Sequence, residues 1–153
     1  DPARLVCVDG SGAGTKVAWN DDELRRMETL GAQPVKYFPT QAEAADRYLK
    51  VSGLSGIATA ESPVAMRGVA QEAAGWRLSM DPRAFGVGKP PIEDLMRLAN
   101  CPAHLGRAAN DALVTIEQLR SIQPQADDLG PYGHNVMVEA PTQVWDWIEA
   151  HST

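Results

Sequence analysis

A chain of 153 residues with a net charge of −6 has the length for one sizeable core and no basic surface for tracking a nucleic-acid backbone. Its composition, 44% hydrophobic and 22% charged, is that of a globular protein rather than a disordered one. No apolar run approaches the roughly 20 residues of a membrane span, and the first residues lack a signal-peptide pattern, so the expectation is a cytoplasmic protein that does not engage membranes.

Taken in chain order, "RLVCV" at 4–8 reads as a buried strand, stopped by the flexible turn Asp9-Gly10-Ser11-Gly12-Ala13-Gly14. "NDDELRRMETLG" is punctuated as a helix at both ends, by Asn/Asp at the start and Gly at the stop. "QPVKYFP" is extended and bounded by prolines. "TQAEAADRYLKVSGL" opens with Thr40 and Glu43 at capping-box spacing. "SPVAMRGVAQEAAG" predicts a further helix, with Ser62 as cap and Pro63 at its first position. The chain is then irregular and rich in proline and glycine as far as Pro91. "IEDLMRLANC" predicts a helix, Ala103 to Arg107 a strand, and Asn110-Asp111 a loop at that strand's carboxyl end. "TIEQLRSI" is a helix capped by Thr115 and Gln118, and "ADDLGPYGH" a weak strand and turn. A closing helix from about Pro141 to His151 places Val144, Trp147 and Ile148 on one face.

Strands alternating with helices predict an α/β fold with a parallel sheet and crossover helices. The long stretch between the first two strands far exceeds an ordinary connection and reads as an inserted helical cap. The expected organisation is a core strand and turn at 1–14, a mainly helical cap with its return at 15–100, and a C-terminal core at 101–153. Cys7 and Cys101 are expected as isolated thiols rather than a disulfide. No C-x-x-C, H-E-x-x-H or close histidine pair occurs, so neither a metal nor a cofactor is implied.

In open α/β sheets, functional groups collect in loops at the carboxyl ends of strands. Asp9, Asp111 and His134 hold such positions. An acid after one strand and a histidine after the next is the arrangement that orients a catalytic imidazole. On the residues alone, Asp111 reads equally as a turn residue beside Asn110, and His134 as a surface turn residue.

"CPAHLGRAANDALVTIEQL" followed by "YGHNVMVEAPTQVWDWI" resembles the C-terminal half of the α/β-hydrolase family. There a strand delivers an acid in a loop, a downstream Gly-His supplies the base, and a closing helix commonly starts "EAP". "GWRLSMDP" resembles the segment that those enzymes run between the cap and the last strands. Ala108-Ala109 departs from the family's frequent Gly-Glu. The resemblance implies that Asp111 is a triad acid and His134 a triad histidine. It also implies a parallel-sheet fold completed by an N-terminal half that this chain lacks.

The family's nucleophile sits in a Gly-x-Ser-x-Gly elbow ahead of the acid, and no such pentapeptide occurs here. The nearest, "DGSGA" at 9–13, centres on Ser11 but puts Asp9 where the cramped turn needs a small residue. "GSGAG" also lacks the ending of a phosphate loop. In some dehalogenase-like relatives the acid follows this earlier strand, which gives Asp9 a rival role; otherwise it bonds the amides of its own loop.

The implied function is hydrolysis of a small ester, lactone or similar carbonyl substrate, with the N-terminal half of the same hydrolase as a separate partner chain. A start at Asp1-Pro2, just ahead of a core strand, suggests such a nicked or processed chain. With an aspartate nucleophile the same pair would activate water, as in epoxide hydrolases. The competing expectation is an inactive, hydrolase-derived binding or assembly module. Cap side chains such as Tyr37, Phe38, Phe85 and Met80 would line an acyl pocket, or form plain core.

Overall fold

The computed structural model describes residues 5–8, 20–87 and 91–152. In chain order the elements are β1 (Leu5–Val8), α1 (Asp21–Gly31), α2 (Gln41–Val51), α3 (Pro63–Arg67), β2 (Val69–Glu72), β3 (Gly75–Leu78) and a short 3-10 helix (Pro82–Val87). They continue with α4 (Ile92–Leu98), β4 (Ala103–Arg107), α5 (Ile116–Ile122), β5 (Asp127–Asp128), α6 (Val136–Glu139) and α7 (Pro141–Ser152). They fall into two compact units, one drawn from both ends of the chain and one spanning Asn20–Gly88.

The first unit is built on a parallel sheet in the order β1-β4-β5. Leu5 to Val8 pair with Ala103 to Gly106, and Gly106 and Arg107 pair with Asp127 and Asp128. Successive residues of β4 serve opposite faces, as the pleat requires. Leu105 enters a cluster with Val114, Leu119 and Ala126. Gly106 instead faces Trp147 and Leu129, where a Cβ would stand 3.1 Å and 3.2 Å from their side chains. That second cluster joins Ala108, Leu129, Val136 and Val144, with Trp147 and Ile148 packed against it.

The crossover helix α5 follows its punctuation. The Thr115 hydroxyl accepts from the Gln118 amide, and the Gln118 side chain accepts from the Thr115 amide, closing the capping box. Helix α7 buries the expected face, and Trp147 donates its indole N–H to Asp127 at 2.8 Å, tying the helix to β5. Cys101 is a half-buried free thiol. Among the described residues no helix is long and apolar enough to cross a membrane.

In the second unit the Thr40 hydroxyl caps α2, and a full capping box between Asn20 and Glu23 opens α1. Ala44, Ala45, Leu49, Leu54, Ala65 and Val69 are buried. The helix expected to run from Pro63 through "VAQEAAG" is a correction. It stops at Arg67, and Val69–Glu72 pairs antiparallel with Gly75–Leu78. Ala, Gln and Glu favour a helix locally, but cross-strand pairing and burial override that preference. Gly75 supplies what the turn needs, a φ of +125° and no Cβ where the Phe38 carbonyl approaches. Phe38 and Trp76 exchange both backbone hydrogen bonds, so the expected extended segment adds to the hairpin.

Gly68 ends α3 at an ordinary φ of −77°, so backbone strain is not the reason for glycine there. A Cβ would collide with the Tyr48 ring. Gly68→Ala should lower stability by roughly 1–3 kcal/mol through overpacking, read from denaturant unfolding; an unchanged midpoint would refute that packing.

The Tyr37 hydroxyl and the Arg77 guanidinium both donate to Glu72, at 2.7 Å and 2.6 Å, and hold its carboxyl below the usual glutamate value. A folded value below the unfolded one stabilises above the unfolded value and is lost as pH falls through the folded one. The stability advantage of the wild type over Glu72→Gln should therefore be present at neutral pH and vanish in acid. An advantage independent of pH in an unfolding series would contradict this.

Candidate active site

The loop after β4 is shaped by the strand's last residue. Arg107 is buried, and its guanidinium donates to the carbonyls of Ala109 at 2.7 Å and Asp111 at 3.4 Å, curling the chain back on itself. Ala108 is fully buried in the second cluster, so the small side chain at this departure from the family pattern is filled space rather than a gap. Beyond it the loop is stitched to the segment after β5. The Ala109 amide donates to the Gly130 carbonyl at 2.8 Å, and the Asn110 amide to the Tyr132 carbonyl at 3.0 Å. The Asn110 side chain donates to the Pro131 carbonyl at 3.0 Å. Gly130 turns at a φ of +106°, with its amide bonded to the Asp128 carboxylate.

This stitching sets Asp111 beside His134. The Asp111 side chain has no exposed area, and that of His134 keeps 30% of its own. Oδ1 of Asp111 accepts from the Leu113 amide at 2.7 Å. Oδ2 lies 3.1 Å from Nδ1 of His134. An ionised carboxylate can only accept, so Nδ1 is the donor and Nε2 lies on the far side of the ring.

The histidine's backbone is held from the other side. Both oxygens of Glu139 accept from the Gly133 amide at 3.1 Å, and a Cβ on Gly133 would stand 2.9 Å from one of them. Val136, fully buried, anchors α6 in the core immediately after the histidine. An imidazole fixed in this way can take a proton at Nε2 while the buried carboxylate stabilises the resulting cation.

The structure thus brings Asp111 and His134 together. Asp9 and Ser11, with the rest of the Gly10–Gly14 turn, lie outside the described residues. Sequence reasoning missed Arg107, Asn110 and Glu139 as residues that build the site. Glu139 carried a readable signal, a lone carboxylate between the histidine and the proline that starts α7. Among the described residues no group of three or more His, Cys, Asp or Glu side chains converges as a metal ion would require.

No protein-family model and no curated protein sequence matches this chain. Solved structures do. The E-2-(acetamidomethylene)succinate hydrolase superposes with a TM-score of 0.67 at 14% identity, over 97% of this chain and 57% of that one. The thioesterase domain from the curacin biosynthetic pathway gives 0.58 at 18% identity, over 96% and 57%. A thermophilic esterase from Thermogutta terrifontis gives 0.57 at 15% identity, over 98% and 57%. Such likeness establishes the fold. The chain has the α/β-hydrolase fold and spans 57% of the length of these three structures, as a C-terminal half does.

Replacing the carboxylate by an amide puts N–H groups where only acceptors stood. Nitrogen NMR of the neutral imidazole should show the Nδ1–H tautomer in the wild type and its loss in Asp111→Asn. The same tautomer in both would mean that Asp111 does not orient the ring.

Proposed function

We propose that this chain supplies the acid and the base of a nucleophile–His–Asp triad in a hydrolase acting on an ester, lactone or similar carbonyl of a small molecule. The observation that carries the reading is the 3.1 Å contact between the fully buried Asp111 carboxylate and Nδ1 of a partly exposed His134. The esterases and hydrolases among the similar solved structures support it through the shared fold.

In this mechanism His134 Nε2 takes the proton of a nucleophilic hydroxyl and returns it to the leaving group. Asp111 fixes the tautomer and stabilises the imidazolium between the two transfers. Glu139, through the Gly133 amide, keeps the ring in register with the incoming proton. Attack creates an oxyanion, which backbone amides beside the nucleophile would bind. Nucleophile and oxyanion loop come from polypeptide outside these 153 residues, the N-terminal half of the fold held as a separate chain. An aspartate nucleophile would leave the roles of Asp111 and His134 in place but direct them at a water.

The test is kinetic. With the N-terminal half supplied, His134→Ala should lower turnover of activated esters by several orders of magnitude while leaving the unfolding midpoint within ordinary surface-mutation scatter. Asp111→Asn should cost on the order of 10⁴-fold. Turnover that survives His134→Ala would instead favour the inactive binding or assembly module.

A further inference from the structure

We propose that the Asn20–Gly88 unit carries a binding site of its own for an amphipathic monocarboxylate, such as a medium-chain fatty acid. A cavity of about 450 Å³ lies wholly within this unit, between the end of α1, the extended segment before α2, the end of α2 and the stretch after β3. That volume falls within the range of small-molecule sites. Its walls are mostly apolar. Leu30, Val35, Val51 and Met80 line it, each left 42 to 47% exposed, with the rings of Phe38 and Phe85 beside them. Large apolar side chains gathered in a concavity rather than scattered singly mark a surface that gains by excluding water.

The polar residues at this cavity select the ligand. Among the described residues Lys36 and Arg47 are the ionisable ones lining it, both positive, in a chain whose net charge is −6. Among the described residues the Arg47 side chain forms no ion pair or hydrogen bond, and Lys36 holds its ammonium 5.3 Å above the centre of the Phe38 ring. An apolar cavity with two cations and no carboxylate complements a molecule with a hydrocarbon tail and a single anionic head. The guanidinium fork suits a planar carboxylate in particular. The same site disfavours a cationic amphiphile, by repulsion, and gains less from a neutral alcohol. This inference does not depend on Asp111 and His134, which belong to the other unit.

The experiment is calorimetric titration of the chain with dodecanoate, kept below its micelle concentration, alongside dodecanol and dodecyltrimethylammonium. Dodecanoate should bind saturably at one site per chain and more tightly than either analogue. Lys36→Gln combined with Arg47→Gln should weaken dodecanoate by about tenfold or more and leave dodecanol nearly unchanged. Arg47 is exposed, so these changes do not threaten the fold. Val51→Glu, which sets an anion in the cavity wall, should abolish dodecanoate binding. The proposal is overturned by any of three results: no saturable binding, equal affinity for the cationic analogue, or affinity that the double variant leaves untouched. Loss of dodecanoate binding when the N-terminal half is added would also overturn it, since the cavity would then be a seat for polypeptide.

Discussion

A carboxylate with no exposed area has to find hydrogen-bond donors inside the protein, because burying it unpaired costs several kcal/mol. Asp111 is such a group, and the loop around it is organised to supply donors: the Leu113 amide to one oxygen and the His134 ring to the other. Everything near the site follows from that requirement. Arg107 curls the loop, the Gly130–Tyr132 segment is bonded to it strand-fashion, and α6 sinks Val136 into the core to fix the histidine's height. A buried charge paired with a half-exposed imidazole is an expensive way to make a turn. It is economical as a device for stabilising an imidazolium at a chosen place.

The proposed division of the chemistry rests on how this fold orders its parts along the chain. A parallel sheet is ordinarily covered on both faces and extends through several strands. Here three strands of that sheet are described, and the chain spans 57% of the length of the hydrolase, thioesterase and esterase structures named above. Acid and base follow the last strands of this fold in chain order, after the nucleophile. Under the proposed function, a C-terminal half would contribute Asp111 and His134 as a pair already aligned by their own loop contacts.

Much of this was legible in the sequence because it rests on local chemistry. The Asn/Asp start at Asn20, the cap residues Thr40 and Thr115, the strand at Ala103–Arg107 and the amphipathic face of α7 each express a short-range rule, and each reappears in the structure, although at Thr40 only the hydroxyl half of the expected box forms. The hairpin of β2 and β3 was not legible. Its first strand holds the helix-favouring Ala70, Gln71 and Glu72, its turn is Ala73-Ala74 rather than Asn-Gly, and its second strand is bridged by Phe38, far away in sequence. Asp111 and His134 stood out as residues, through their positions after strands and through the family resemblance. Their supports did not. Which amide Glu139 holds and which carbonyls Arg107 reaches are set by tertiary approach, and spacing alone carries no trace of it.

The central claim is that His134, oriented by Asp111, activates a nucleophile that lies outside these 153 residues. The most direct measurement is fluorophosphonate labelling of the protein isolated from its own source, followed by native and denaturing mass spectrometry. The account predicts a label on the serine of a Gly-x-Ser-x-Gly segment in a second polypeptide that travels with this chain under native conditions. A label on Ser11, or a lone unlabelled 16.5 kDa species, would contradict it.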